Sequence, residues 1–183
     1  HALESRQGPV VINCSSSRVS ADICKSHGCD LHLSAVGEAN VTNKMKSLHA
    51  VYGGEGNGGP IDPKVGFVRD SFVAMAQVLD AMAKNEKTIS QLADAIPRYQ
   101  IRKTTIEIER DSVPLLYEKL TKEFSGAMKS SMDGIRFDWA DKWILVRPSN
   151  TEPIVRAIAE ATDGAEAQAL CQAAATLAAQ ISG

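Results

Sequence analysis

The sequence predicts two domains of different class: an α/β first half with a mixed, largely parallel sheet, then an α+β second half with an antiparallel sheet and helices on one face. Three observations carry this. Up to Pro97, short apolar strands alternate with helical repeats, the order that parallel crossover units require. Beyond it, Ile101 to Ile108 alternates through Lys103, Thr105 and Glu107, as a strand with one solvated face does. Pro97-Arg98-Tyr99 separates the two patterns, so domains are expected at 1–97 and 98–183.

Element by element, Val10-Val11-Ile12 has the continuous apolar character of a strand buried on both faces. A helix marked by Val19 and Ile23 follows, with one of Ser15, Ser16 and Ser17 placed to cap it and Gly28 closing it. Leu31 and Leu33 alternate as a second strand. Val41, Met45 and Leu48 repeat along one helix face, and Ala50-Val51-Tyr52 supplies a third strand. After a glycine-rich loop, a helix from about Asp70 aligns Phe72, Ala76, Leu79 and Met82 or Ala83. Thr88-x-x-Gln91 is a capping box for a short helix stopped by Pro97.

In the second half, a helix beginning at Asp111 or Ser112 tolerates Pro114 in its first turn and aligns Leu116, Leu120 and Phe124. Ile135–Phe137 and Trp143–Val146 flank a turn and read as a hairpin. Ile154 and Ile158 mark another strand, and an Ala-rich helix from about Gly164 to Ile181 closes the chain.

Of 183 residues, 44% are hydrophobic and 23% charged, with a net charge of −2. That balance, without a run of one sign, excludes the basic footprint of a nucleic-acid binder and electrostatic membrane docking. The longest aliphatic run, Val10-Val11-Ile12, is far too short to cross a bilayer, and no signal peptide is visible. Cys14, Cys24, Cys29 and Cys171 occur without a disulfide-rich composition, so a reducing, cytoplasmic setting is expected. Cys24, His27, Cys29 and His32 suggest zinc only superficially. Cys24 and His27 fall at a helix end, while Cys29 and His32 lie three apart on a strand and point to opposite faces. Structural roles are expected for them. The chain opens on His1 rather than Met, close to a strand, as a piece of a longer protein would.

Two loops carry chemistry. Gly53-Gly54-Glu55-Gly56-Asn57-Gly58-Gly59 contains the glycine spacing of a dinucleotide fingerprint, but Pro60-Ile61-Asp62-Pro63 follows where a helix N-terminus is needed, which excludes that site. What remains is one carboxylate and one amide among glycines. Glu55 can accept from two adjacent hydroxyls, as a sugar diol offers, and the backbone can approach closely. A solvated surface loop is the alternative. In either case Glu55 has no neighbour in sequence to pair with, so the loop is expected to be exposed and to fold without it. The second loop, Arg147-Pro148-Ser149-Asn150-Thr151-Glu152-Pro153 with Arg156, joins two apolar strands. An arginine fork, hydroxyls and a tight turn of inward amides suit phosphate. A hairpin loop whose arginine pairs with Glu152 or Glu160 is the alternative.

Taken together, the glycine loop resembles the sugar-recognition loop in the third domain of α-D-phosphohexomutases, the phosphoglucomutases, phosphomannomutases and phosphoglucosamine mutases. The arginine loop is similar to the phosphate-binding loop of their fourth domain. Val36-Gly37-Glu38-Ala39-Asn40-Val41 and Arg69-Asp70 fall where the family has related segments. The resemblance implies that Glu55 and Asn57 hold sugar hydroxyls, and that Arg147, Ser149, Asn150, Thr151 and Arg156 hold the phosphate that is not transferred. It also implies a parent enzyme that moves a phosphoryl group between O1 and O6 of a hexose through a bisphosphate, with a phosphoserine and Mg2+. No phosphoserine-type loop and no Asp-Gly-Asp-x-Asp metal loop occurs in these residues. Both, with Mg2+, are expected in N-terminal domains of the same parent chain, leaving this piece inactive alone. A stand-alone phosphosugar-binding module is the alternative. Many bacterial members carry a histidine where Glu38 stands, a lysine where Asn13 stands and a Ser-Gly-His ending to the sugar loop, so the pattern is closer to the archaeal-like branch.

Overall fold

The structure is a computed structural model and describes residues 1–149 and 152–182. The chain divides into two compact units, His1–Arg98 and Tyr99–Gly183.

The first unit runs α1 (Ala2–Ser5), β1 (Val10–Asn13), α2 (Val19–Ser26), β2 (Leu31–Ser34), α3 (Glu38–Leu48), β3 (Tyr52–Gly54), β4 (Pro60–Ile61), α4 (Ser71–Asn85) and α5 (Ile89–Asp94). Its sheet has the order β2-β1-β3-β4, with β1 parallel to both neighbours and β4 antiparallel at the edge. β1 is central and buried on both faces. Val11 packs with Val41 and Met45 of α3 on one side, while Val10 and Ile12 pack with Leu3, Cys24 and Cys29 on the other. Cys24 and Cys29 are thus structural, and Cys29 precedes β2 rather than lying on it. Ser17 Oγ accepts from Val19 N at the start of α2, and Gly28 follows that helix with φ +64°.

Three expectations shift. The third strand lies at 52–54, not 50–52, because pairing of Val10 with Tyr52 and Ile12 with Gly54 draws the first loop glycines into the sheet. Gly53 has a packing reason for its missing side chain: a Cβ there would meet the Met45 sulfur and, at 2.8 Å, the Val11 carbonyl. Second, β4 follows the glycine loop directly and turns it into the connection of an edge hairpin. Third, α4 is apolar on two sides. It turns Ala74, Gln77, Val78 and Ala81 toward an apolar groove of about 460 Å³, and leaves Phe72 80% and Leu79 64% exposed. Helical periodicity identifies an apolar stripe but does not say which of two stripes faces the sheet.

A buried polar lock ties this unit together. Arg6 donates to both oxygens of Asp62 at 2.6 and 2.7 Å, and Gln77 Nε2 donates to Asp62 at 2.8 Å. Tyr52 Oη in turn donates to Gln77. The guanidinium holds the Asp62 carboxyl below its usual range, overcoming the burial that pushes it up.

The second unit comprises β5 (Gln100–Glu107), a 3-10 turn (Arg110–Ser112), α6 (Val113–Glu123), β6 (Met128–Ser130), β7 (Ile135–Asp138), β8 (Trp143–Pro148), β9 (Ile154–Ala161) and α7 (Gly164–Ser182). The sheet is antiparallel throughout, in the order β5-β9-β8-β7-β6. Its helix-facing side, including Ile106, Phe137, Ile144, Val146 and Ala157, packs with Leu116 and Leu120 of α6 and Cys171 and Ala174 of α7. Small alanines on β9 and α7 let that helix lie close to the strands. On the other side Trp143 Nε1 donates to Glu160 Oε1 at 3.0 Å.

Candidate functional site

The glycine loop places Glu55 against the C-terminal end of β1 and the N-terminus of α3. Its carboxylate is not free, contrary to expectation, and its side chain is only 4% exposed. Oε1 accepts from Asn13 Nδ2 at 2.8 Å and from the Gly37 amide at 2.9 Å. Oε2 lies 3.3 Å from Arg69 Nη1. The sequence hid these partners because Asn13, Gly37 and Arg69 reach Glu55 through the parallel crossover and the loop before α4, not through local spacing. Asn13 Oδ1 is held by the amide and hydroxyl of Ser15 and by Ser16 Oγ, which fixes its Nδ2 toward Glu55.

Arg69 precedes Asp70, whose carboxylate caps α4 by accepting from Phe72 N and Val73 N. Arg69 Nε donates to Glu38 Oε2 at 2.8 Å, and Nη1 donates to Asn57 Oδ1 at 2.8 Å. The pairing keeps the Glu38 carboxyl below its ordinary range and raises the arginine further. Asn57 itself is exposed. Glu55 and Asn57 therefore share one guanidinium, and Arg69 is a residue of this loop system that the sequence placed nearby without assigning it a role.

In the second unit, Arg147 near the end of β8 stands directly opposite Arg156 of β9. Like charges facing each other across a ladder are unfavourable unless an anion is shared. Their nearest carboxylates differ from the alternatives read in the sequence: Arg147 Nε donates to Asp133 at 3.2 Å, and Arg156 lies 4.0 Å from Glu152. The second pair is largely solvated, with 53% and 59% of the side chains exposed, and contributes little. Asp133 was not foreseen; it reaches Arg147 because Gly134, at φ +77°, brings the turn against β8. A Cβ at Gly134 would lie 2.7 Å from Arg147 Cα and 2.8 Å from Arg147 Cβ. The Tyr117 hydroxyl is buried without a partner among the described residues. Burial, then the Asp133 charge, pushes it up to about 12. Ser149 closes the loop, its amide donating to the Ile154 carbonyl at 2.9 Å. Asn150 and Thr151 lie outside the described residues. Among the described residues no three His, Cys, Asp or Glu side chains form a metal cluster.

An α/β unit bearing a glycine loop, followed by an antiparallel α+β unit bearing an arginine loop, defines the class: the C-terminal pair of domains of sugar-phosphate mutases. Residues 1–99 match the family model of phosphoglucomutase/phosphomannomutase α/β/α domain III, and residues 107–177 match that of the phosphoglucomutase/phosphomannomutase C-terminal domain. The chain belongs to the phosphoglucomutase/phosphomannomutase family. It is 32% identical to a phosphoglucomutase/phosphomannomutase of Thermococcus kodakarensis, over 86% of this chain and 35% of that protein. Identity to a phosphoglucosamine/phosphogalactosamine mutase of Sulfurisphaera tokodaii is 31%, over 84% of this chain and 34% of that one. The crystal structure of a family protein from Burkholderia thailandensis shares the fold, with a TM-score of 0.76 and 23% identity, over 97% of this chain and 40% of that one. This chain thus spans about a third of the length of these curated relatives.

Proposed function

We propose that this chain is the substrate-binding C-terminal part of a phosphohexomutase that interconverts hexose 1-phosphates and hexose 6-phosphates. The observation that carries it is that the family matches span both a glycine loop holding Glu55 and Asn57 and a loop whose two arginines face each other. The first unit supplies hydroxyl recognition: Glu55 Oε2 accepts and Asn57 donates. The second supplies anion recognition. Arg147 holds Asp133 through Nε, and its terminal nitrogens would take phosphate oxygens, to which Arg156 and Ser149 add a charge and a hydroxyl. Asn150 and Thr151 complete that set in the family pattern.

Nothing in these residues attacks phosphorus. We assign the phosphoserine and the Mg2+ ligands to N-terminal domains of the same parent, as the resemblance to the family implies. Bound there, Mg2+ would supply charge stabilisation at the transferring phosphoryl group. What this chain contributes is grip: hydroxyls and the distal phosphate are held while the other end reacts, which turns binding energy into orientation. Cys14, Cys24, Cys29 and Cys171 are buried thiols that form no disulfide, which supports a reducing, cytoplasmic location, and no described helix is long and apolar enough to cross a membrane.

The test is turnover. The full-length parent should interconvert the 1- and 6-phosphates of at least one of glucose, mannose and glucosamine, while the 183-residue chain alone shows none. A parent without turnover on all three, yet a chain that binds them, would favour a binding module without chemistry.

A further inference from the structure

We propose that Arg69 is a positioning residue that gives the hydroxyl-reading loop its donor–acceptor polarity, with Glu38 as its anchor; this rests on the function proposed above. The argument starts from what each group can do. An ionised carboxylate only accepts, and a guanidinium only donates. Glu55 Oε1 already accepts from Asn13 Nδ2 and the Gly37 amide, which fills its lone pairs. Only Oε2 is left to receive a hydroxyl proton, so Glu55 does not bind both hydroxyls of a diol.

The second hydroxyl needs another partner, and Arg69 determines which. Its Nη1 lies 2.8 Å from Asn57 Oδ1 and 3.3 Å from Glu55 Oε2, so the amide and the carboxylate are held beside one nitrogen. Because arginine cannot accept, the Asn57 oxygen must face it, and the Nδ2 group, which has no partner among the described residues, is turned outward. One remaining acceptor, Glu55 Oε2 on a side chain only 4% exposed, and one donor, Asn57 Nδ2, are thus set about the same Arg69 nitrogen. A vicinal diol in which one hydroxyl donates and its neighbour accepts matches that order. Glu38 keeps it fixed by accepting from Arg69 Nε at 2.8 Å and from the Arg69 amide at 3.4 Å.

Arg69 is not itself suited to hold phosphate. Two carboxylates, Glu38 and Glu55, flank one guanidinium, which leaves the cluster with a net charge of one negative unit. An anion is disfavoured there, and neutral hydroxyls are not.

The experiment is steady-state kinetics on the full-length parent with its hexose phosphate, and competitive inhibition by inorganic phosphate as a probe of the other loop. Arg69→Met should raise KM about tenfold with kcat changed far less, the pattern of lost uniform binding. The inhibition constant for inorganic phosphate should stay within about twofold. Asn57→Ala added to Arg69→Met should cost little more, because both remove one donor arrangement. Arg69→Lys should recover only part, since an ammonium lacks the rigid fork that meets Glu38 through Nε and Asn57 through Nη1. Should Arg69→Met not fold, Glu38→Gln carries the same test, with a smaller rise in KM. Fully additive losses, or a phosphate inhibition constant rising in step with KM, would overturn the positioning role. So would wild-type kinetics in Arg69→Met, with the proposed function intact. A wild-type parent inert on every hexose phosphate would instead remove the function on which this role rests.

Discussion

At the glycine loop, Asn13, Gly37 and Arg69 take up most of what Glu55 can accept, whereas at the arginine loop two like charges face each other with one carboxylate apiece. The first site settles its electrostatics internally before a ligand arrives, which suits neutral groups that reward geometry more than charge. The second sets one carboxylate against each arginine, the Arg156 pair being largely solvated, and leaves guanidinium donors beside each other for an anion to bridge. On the function proposed above, recognition of a sugar phosphate would be divided by chemistry, with hydroxyl direction read by the first loop and the anion held by the second.

The largest expected effect tests the frame behind the quieter site. Arg6→Ala leaves the buried Asp62 carboxylate without its cation, held only by Gln77 Nε2 and the Lys64 amide, and should cost about 3 kcal/mol in urea unfolding. The same pair sets an acid limit. Because Asp62 titrates lower when folded than when unfolded, its contribution is complete above the ordinary aspartate range near ~3.9 and fades as pH falls below it. A loss under about 1 kcal/mol would make this a surface-like pair and the frame a soft one.

Next comes the charged site. Arg147→Ala in the full-length parent should weaken phosphosugar binding by about 2–3 kcal/mol, with Arg147→Lys recovering only part. Full recovery by lysine in the same kinetics would mean a point charge suffices and the fork held by Asp133 is irrelevant.

Glu55→Gln comes third and sharpens the contrast most directly. Its new NH2 group cannot accept, so either the Asn13 and Gly37 donors or the ligand hydroxyl loses a partner. Catalytic efficiency should fall by about 1.5–3 kcal/mol equivalent. Melting temperature should fall as well, which an exposed, unpartnered carboxylate would not produce. An unchanged melting temperature, by calorimetry, would mean that the ties to Asn13 and Gly37 carry no weight in solution.

The smallest effect is expected at Tyr117. Removing a buried hydroxyl that has no partner among the described residues should leave stability within about 0.5 kcal/mol or raise it, so Tyr117→Phe tests whether the surroundings of Asp133 are satisfied. A loss above about 1 kcal/mol would reveal a bond to that hydroxyl.

How much the sequence disclosed follows from range. Patterns that repeat within a turn or a strand were legible: the capping box at Thr88 and Gln91, the hairpin of β7 and β8, the alternation of β5. Both loops stood out because each gathers its chemistry in a few consecutive residues. The partners that give those residues meaning did not. Asn13 to Glu55 and Glu38 to Arg69 are contacts between distant segments, set by sheet order and helix docking, and no local pattern encodes them. β4 and β6 were missed for a related reason: at two and three residues, pairing to a neighbour rather than intrinsic preference defines them. The α4 stripe shows the converse, a strong local signal whose orientation depends on the rest of the fold.

Gly134 gives the arginine loop an unusual kind of dependence. The aim of Arg147 rests on a position with no side chain of its own, where any substituent would collide with the backbone carrying that arginine. A search for inactivating mutations that looked only for altered charges and hydroxyls would pass over it. If the full-length parent has the function proposed, a random library selected for its loss should return Gly134 changes alongside those at Arg147, in protein that still folds but aims that arginine wrongly.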